Sequence, residues 1–431
     1  MPILGDPKNS SNHSSTTKMK TTEAFTRGKN LIESILHKML DIDKWQHKFM
    51  LHILTHCLGM SGRFNILQMS REGKYNEQTY RNNFGRAFDF LRFNIDLVER
   101  SCSEERIIAF DPSYITKSGK HTEGLGNFYS GCASSYKKGL EIGGIAVIDI
   151  KQNTAYHLEA IQSPSARKEK VKKDYTLVDH YADLIVQRAT ELKRISNILV
   201  ADGYFSKYKF VTKICENTEL TLISRLRDDA NLRYIFHGQN QKNRGRPKVF
   251  DGKVDTKKID KRRFQKVHSD HESIIYSTVV YSVSLKRKIK VSYVEFLNKK
   301  GRVVAAKLFF STDLEMDAIQ ILKYYKARYQ IEYLYRDSKQ FTGLQHCQAR
   351  SKEKLYFHFN TCLTAVSVGK VVLRNNCAKD KPMCLSISNI KTEYRNRKMI
   401  KRIISMYGFD QTLIKIHPAY TKLLNYGKIA A

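Results

Sequence analysis

The spacing of apolar residues divides the chain into helical and strand-like stretches. From about residue 28 to 100, apolar residues recur every three or four positions, a spacing that predicts helices. The predicted helices are NLIESILHKML, KWQHKFMLHILTHCL, FNILQMS and NEQTYRNNFGRAFDFLRF. Residues 351–431 have a helical pattern again, whereas the first 27 residues are rich in Ser, Thr, Asn and Lys. We expect a disordered tail there because that segment has too little apolar surface to bury.

The third and fourth predicted helices could form a helix-turn-helix. Glu72, Gly73 and Lys74 would make the turn, and Asn76 would cap the last helix. The residues that would then be available to DNA are Gln78, Arg81, Asn82 and Arg86, and those that would pack inward are Phe84, Phe88 and Leu91. A plain helical bundle explains the same pattern equally well.

The middle of the chain changes to the alternation that is typical of strands. Three consecutive, antiparallel strands are predicted first, followed by helix, strand, helix and strand. These elements are Arg106–Ile115, Ile142–Ile150, Thr154–Ile161, Thr176–Lys193, Asn197–Ala201, Lys207–Glu216 and Leu220–Arg225. Their order is that of the ribonuclease H-like fold, an α/β fold in which helices flank a mixed sheet. The stretch from Leu226 to Lys300 is turn-rich and then strand-like, and RVVAAKLFFST predicts one more strand.

Two acids stand out within the apolar strands. Asp111 interrupts IIAFDPSYI, and Asp202 ends a strand in VADGYFSK. A carboxylate inside or at the tip of a hydrophobic strand is costly to bury unless it coordinates a partner. The alternative for Asp111 is a turn before Pro112, and for Asp202 it is a simple Asp-Gly turn.

The stretch from Asp317 to Phe341 is predicted to be one helix. At about 100° per residue, Tyr325, Arg328, Glu332 and Lys339 would lie within roughly 60° of one another and make a polar stripe. An adjoining arc of Tyr324, Ala327, Ile331, Leu334 and Phe341 would be buried. A carboxylate between cations suits a metal ligand beside phosphate-binding groups, although a solvated charged face has the same spacing.

Charge and cysteine content narrow the classes of partner and compartment. Lys and Arg number 75 and Asp and Glu 42 in 431 residues, a net charge of +33 that indicates a polyanionic partner, nucleic acid above all. The eight cysteines include no Cys-x2-Cys pair, which argues against a zinc site or a disulfide framework. His56–Cys57 and His346–Cys347 are better explained as core residues. No run of about 18 apolar residues occurs, so we expect a cytoplasmic protein without a membrane span.

The motif Tyr-x2-Arg-x3-Glu-x6-Lys at residues 325–339 resembles the Tyr-Arg-Glu-Lys (YREK) signature of bacterial insertion-sequence transposases of the DDE class. The resemblance implies that Asp111, Asp202 and Glu332 are the catalytic acids and hold two Mg²⁺ ions, for which Mn²⁺ can substitute. It also implies that Tyr325, Arg328 and Lys339 bind DNA, and that the activity is cut-and-paste transposition. A metal-dependent nuclease or resolvase of the same fold and a non-catalytic basic DNA-binding protein are the alternatives.

The resemblance further implies an insertion between Asp202 and Glu332. Arg244 and Arg246 in its NRGRPK segment resemble minor-groove hooks, or belong to a loop that only touches phosphates.

The expected partners are double-stranded DNA, as transposon ends and target, and a second copy of the chain in the DNA complex, in a bacterial cytoplasm close to the nucleoid. The expected domains are a tail (1–27), a helical DNA-binding region (28–100), the first part of the catalytic core (101–225), a β-rich insertion (226–301), the remaining core (302–350) and a helical C-terminal region (351–431).

Overall fold

The computed structural model describes residues 29–165, 175–238, 247–374 and 386–429. They form two compact units. The first contains the described residues up to Ser101 and from Leu334 onward, and the second is formed by those within Cys102–Tyr333. The tail predicted for residues 1–27, and Arg244 and Arg246 of the predicted hook, lie outside the described residues.

Helices make up the first unit and flank a sheet in the second. In chain order the helices are α1 (29–36), α2 (Lys44–Gly59), α3 (Ile66–Glu72), α4 (Glu77–Asn83), α5 (Phe90–Ser101), α6 (Leu177–Gln187), α7 (Ala189–Lys193), α8 (Tyr208–Asn217), α9 (Ala318–Ala327), α10 (Gln330–Asp337), α11 (Lys352–Arg374), α12 (Ile387–Tyr407), α13 (Gln411–Ile416) and α14 (Pro418–Asn425). Short 3₁₀ turns occur at Gly131–Ala133 and Gly203–Phe205, and a π-helical segment at Ser338–Thr342.

The strands of the second unit join in one mixed sheet. They are β1 (Arg106–Thr116), β2 (Gly126–Ser130), β3 (Ser135–Asp149), β4 (Thr154–Gln162), β5 (Ile198–Ala201), β6 (Thr221–Arg225), β7 (Leu232–Ile235), β8 (Phe250–Lys253), β9 (Gln265–Ser269), β10 (Ser273–Ser282), β11 (Arg287–Leu297) and β12 (Val303–Ser311). The order is β2-β3-β1-β5-β6-β12-β11-β10-β7-β8, with β4 on β3 and β9 on β10. Among the strands that the structure describes, only β1–β5 and β5–β6 pair in parallel.

The core of the first unit is built around α11, whose side chains are buried along most of its length. Aromatic rings of the N-terminal helices pack on its Phe357: the ring of Phe84 is centred 4.7 Å away and that of Phe90 5.4 Å away. A buried hydrogen bond from Asn94 Nδ2 to Thr364 Oγ1, 2.9 Å long, joins α5 to the same helix. The two ends of the chain therefore share one hydrophobic core.

The N-terminal helices differ from the prediction at one place. The helix predicted from Asn76 through the FLRF segment is two helices, because Asp89 accepts a hydrogen bond from the Arg92 N–H at 2.9 Å and begins α5 anew. Asn76 caps α4 as predicted, accepting from the Thr79 N–H at 2.9 Å. The residues predicted to face solvent, Gln78, Arg81, Asn82 and Arg86, are exposed, and Phe84, Phe88 and Leu91 are buried.

The predicted strands of the second unit are present, and the first three are antiparallel as expected. The helix predicted at Thr176–Lys193 is divided into α6 and α7 at Arg188, where the guanidinium turns to the buried Glu159 and donates to it at 2.7 Å. The segment after β6 is strand-rich as predicted, and its strands extend the same sheet. The last of them, β12, returns to pair with β6.

The predicted helix from Asp317 to Phe341 is also divided. The α9 helix ends at Ala327, and α10 begins at Gln330. Between them the Ile331 and Glu332 N–H groups donate to carbonyls three residues back, at 3.1 Å each, which tightens the turn. The π-helical segment that follows carries Lys339 and belongs to the first unit. The prediction of one continuous helix was therefore wrong, although Tyr325, Arg328 and Glu332 of the predicted stripe still meet at one place.

Acidification should destabilise the first unit through His56. Burial, together with Lys398 and His52, lowers the pKa of His56 from 6.5 to about 3. Between these values the unfolded chain binds a proton that the folded chain does not, so stability falls as pH falls. In urea unfolding, we expect the free energy of unfolding of H56L to fall by about 2 kcal/mol less than that of the wild type between pH 7 and pH 5. H121Q, at an exposed histidine, should behave as wild type; an unchanged pH dependence in H56L would contradict the prediction.

Candidate active site

The register between two parallel strands sets the position of Asp111 and Asp202. The last paired residues of β1 and β5 are Phe110 and Ala201. Asp111 and Asp202 are the next residues of these adjacent strands, so both carboxylates start from the same edge of the sheet. Neither acid is close to the other in sequence, and the pairing alone brings them side by side.

Asp111 lies within a continuous strand. The alternative of a turn before Pro112 was wrong, because β1 runs on to Thr116 and pairs Asp111 with Gly144 of β3. Pro112 lies beyond the last residue of β1 that pairs with β5. Its lack of an N–H therefore breaks no hydrogen bond between these two strands. The apolar strand thus carries the acid to the point where its neighbour ends.

Asp202 sits at a turn that several contacts hold in place. Its carbonyl accepts from the Phe205 N–H at 2.9 Å, as the 3₁₀ turn begins, and from Ser224 Oγ at 2.9 Å. A Cβ added to Gly203 would lie 3.2 Å from the Arg225 carbonyl oxygen, so the turn passes close to the end of β6. The Asp-Gly dipeptide is a structural turn and at the same time points a carboxylate out of the sheet edge.

Arg328 stands between the three predicted acids. Its Nη2 lies 3.0 Å from Glu332 Oε1 and 4.0 Å from Asp202 Oδ1, and its Nη1 lies 3.5 Å from Asp111 Oδ1. The Tyr325 hydroxyl donates to Asp202 Oδ1 at 3.2 Å. The Arg328 side chain is only 11% exposed, whereas the Asp202 and Glu332 side chains are 47% and 39% exposed. The acids therefore gather on one largely buried cation, and two of them remain open to solvent.

Burial and the neighbouring charges shift the pKa values of the residues at this site. Burial raises the pKa of Asp111 to about 7; Arg328 opposes this rise, and the neighbouring Glu332, Asp202 and Glu141 add to it. Burial acts to lower the pKa of Arg328, but the carboxylates of Asp111 and Asp202 outweigh it and leave that pKa above its usual value. Burial, and then the Asp202 charge, raise the pKa of Tyr325 to about 12. The site thus carries an excess of negative charge around a fixed cation.

Glu141 is an acid that the sequence prediction missed. It lies on β3 opposite Tyr114, is 8% exposed, and accepts a hydrogen bond from the Tyr181 hydroxyl. Burial raises its pKa as well. The signal was present in the sequence, because Glu141 is the second residue of the apolar run LEIGGIAVIDI and interrupts it as Asp111 interrupts its own strand.

The three carboxylates have the chemistry of a divalent-metal site. Carboxylate oxygens are the ligands that Mg²⁺ prefers, and here three acids converge where one positive charge already stands. Among the residues that the structure describes, no group of three or more His, Cys, Asp or Glu side chains is arranged so that it could hold a metal ion. The donor set fits a cation, and the Arg328 guanidinium takes the place between the donors.

The weaker metal candidates are packing residues. Cys57 and His56 are buried in the helical core, and His346 Nδ1 accepts the Phe64 N–H at 3.1 Å. The six cysteines that fall within the described ranges are free thiols. In the same ranges, no helix has the length and apolar character needed to cross a membrane.

Comparison with known proteins connects this geometry to one family. No curated protein matches the chain. The family model described as the transposase DDE domain matches residues 172–368, a segment that contains Asp202, Tyr325, Arg328, Glu332 and Lys339 and begins after Asp111. This segment is thus similar to a transposase DDE domain, and the match supports a DDE transposase.

Proposed function

We propose that the chain is a transposase of the Tyr-Arg-Glu-Lys group that cleaves the ends of a transposon and joins them to target DNA. The observation that carries the proposal is the convergence of Asp111, Asp202 and Glu332 on Arg328, in a chain that matches the transposase DDE domain. Acids held by two adjacent parallel strands and a helix suit in-line displacement at a phosphate, where positioning and charge neutralisation supply most of the catalysis.

The fold proposed for the catalytic core is ribonuclease H-like. The strand order β4-β3-β1-β5-β6, with β3 antiparallel and β5 and β6 parallel to their neighbours, supports it. The strands from β7 to β11 then form a β-rich insertion between β6 and β12. We propose that the insertion and the N-terminal helices take part in binding DNA.

Asp111, Asp202 and Glu332 would hold the divalent cations, Mg²⁺ by preference and Mn²⁺ as a substitute. Ions held by these carboxylates would supply Lewis-acid activation of a water or 3′ hydroxyl and charge neutralisation at the leaving oxygen. Arg328 and Tyr325, which contact the same acids, would bind the phosphate oxygens beside the scissile bond and fix its orientation. Lys339 would bind the phosphate backbone further along.

The proposed partner is double-stranded DNA, as transposon end and as target. The net charge of +33 supports it, because Lys and Arg that neutralise phosphates release counterions and drive binding. We propose that two copies of the chain act together on a pair of ends, in a bacterial cytoplasm close to the nucleoid.

Replacing Glu332 by Gln should separate DNA binding from chemistry. The substitution keeps the side-chain shape and removes one metal-binding charge. We expect E332Q to bind element ends in Ca²⁺ nearly as the wild type does, while end cleavage and joining in Mg²⁺ fall at least about a hundredfold. The measurement is a strand-transfer assay with labelled element ends. Retention of joining by E332Q would overturn the assignment, and cleavage without joining in the wild type would indicate a nuclease.

Replacing Arg328 by Ala should leave metal binding intact and misplace the DNA. The guanidinium competes with a metal for the same carboxylates, so R328A should bind Mn²⁺ at least as tightly as wild type. D202N should bind it about tenfold more weakly or worse. We expect R328A to cleave ends about a hundredfold more slowly, with partial recovery at low salt. Paramagnetic resonance titration gives the metal affinity, and R336A, at an exposed arginine, is the control.

Arg244 and Arg246 are proposed to bind DNA, and one experiment decides how. Arginines that enter a narrow minor groove favour A·T-rich sequence, so R244A/R246A should weaken A·T-rich duplexes more than G·C-rich ones. If the two residues only touch phosphates, the affinity for both duplexes should fall alike. The slope of the logarithm of affinity against the logarithm of salt concentration should then fall by about two. Titration of both duplexes at several salt concentrations distinguishes these outcomes, and equal loss refutes the minor-groove hook.

A further inference from the structure

The hairpin formed by β2 and the start of β3 carries two exposed tyrosines that the proposed chemistry does not use. Tyr129 and Tyr136 are directly paired across the hairpin, edge to face, with ring centroids 5.7 Å apart. They are 52% and 75% exposed, although such large rings are usually covered. The 3₁₀ turn Gly131–Ala133 joins the two strands. Two aromatic rings are therefore presented to solvent at the tip of a hairpin.

The charge of the hairpin points to a polyanion. Residues 124–140 contain Lys137 and Lys138 and no acid. Both lysines are exposed, and neither has a salt bridge to any residue that the structure describes. Aromatic faces beside uncompensated cations are the combination that binds nucleic acid, because rings pack against bases and sugars while lysines neutralise phosphates.

The base of the hairpin is fixed to the strand that carries Asp111. Gly139 lets β3 pass close to β1: a Cβ there would lie 2.6 Å from the Ile115 carbonyl oxygen and 2.6 Å from the Tyr114 ring. The Tyr114 hydroxyl donates to the Lys138 carbonyl at 2.8 Å, and Phe128 is buried. The tip is therefore held at a defined distance from the acid.

That distance follows from the strand register. Asp111 pairs with Gly144, and β3 pairs with β1 without a register shift from Gly139 to Asp149. Tyr136 precedes Gly144 by eight residues on the same strand. At about 3.3 Å per residue the tyrosine pair lies roughly 26 Å from Asp111. The same length corresponds to about 8 base pairs of B-DNA at roughly 3.4 Å each.

We propose that the Tyr129–Tyr136 hairpin is a DNA-binding element and that the duplex runs along β3, so that the hairpin contacts it about 8 base pairs from the phosphate cleaved at Asp111. The tyrosine rings pack against sugars and bases in a groove, and Lys137 and Lys138 bind the flanking phosphates. The distance rests on the proposed function, whereas the contact with DNA does not. A purely structural role for the tyrosine pair would affect the stability of the hairpin and leave DNA affinity unchanged.

Paired variants distinguish the two kinds of contact on duplex DNA. We expect Y129A/Y136A to weaken DNA binding about tenfold or more without changing the slope of the logarithm of affinity against the logarithm of salt concentration. We expect K137Q/K138Q to reduce that slope by about two units. The exposed pair Val303 and Val304 on β12 supplies the control, since V303A/V304A should bind as the wild type does. Wild-type affinity in both hairpin variants would overturn the proposal. If Y129A/Y136A is unstable, the lysine variant decides, since its side chains are exposed.

Cys132, exposed at the hairpin tip, allows the position to be mapped. An iron chelate attached to this thiol in the full chain, bound to a labelled element end, should cut the DNA about 8 base pairs from the cleavage site. C132S treated in the same way gives the background from the other thiols. Cuts centred elsewhere, or none above the C132S background, would overturn the inference. Loss of affinity in the hairpin variants, combined with a wild type that never cleaves ends, would support the DNA contact and refute the transposase.

Discussion

The candidate site depends on one buried guanidinium that balances three carboxylates. Asp111 is held inside an apolar strand, where an uncompensated negative charge would be costly. Arg328 offsets that cost and at the same time contacts Asp202 and Glu332. The α9 helix has its C-cap at this residue, so the break between α9 and α10 and the three ion pairs occur at the same position. Elements far apart in sequence, β1, β5 and the two helices, meet through this one side chain.

The sequence alone indicates which acids belong to the candidate site better than it indicates how those acids are arranged. Asp111 and Asp202 could be found because a carboxylate in an apolar run conflicts with its surroundings. Their adjacency was implied only by the family resemblance, because the register Phe110 to Ala201 depends on how two strands pair, and no local pattern encodes that pairing. The break at Arg328 was hidden for a related reason, since the apolar spacing is helical on both of its sides.

The hairpin of β2 and β3 escaped prediction because it lacks the signal by which strands are found. Its sequence, GNFYSGCASSYKKG, has small and polar residues in place of apolar alternation, and much of it is exposed. Burial imposes a period of two on a strand only where one face is covered. Backbone pairing and a few side-chain contacts, such as the buried Phe128, hold this hairpin together, while the rings of Tyr129 and Tyr136 remain exposed.

Because β12 returns to pair with β6, the strands β7 to β11 lie between two neighbouring strands of the sheet. The Leu226 N–H donates to the Leu308 carbonyl at 2.9 Å, so the chain leaves and re-enters the core at almost the same point. Loop-closure entropy rises only slowly with length, so the core is nearly indifferent to how much chain lies between these two strands. A segment of another length between Leu226 and Leu308 would therefore leave β6 and β12 paired as they are.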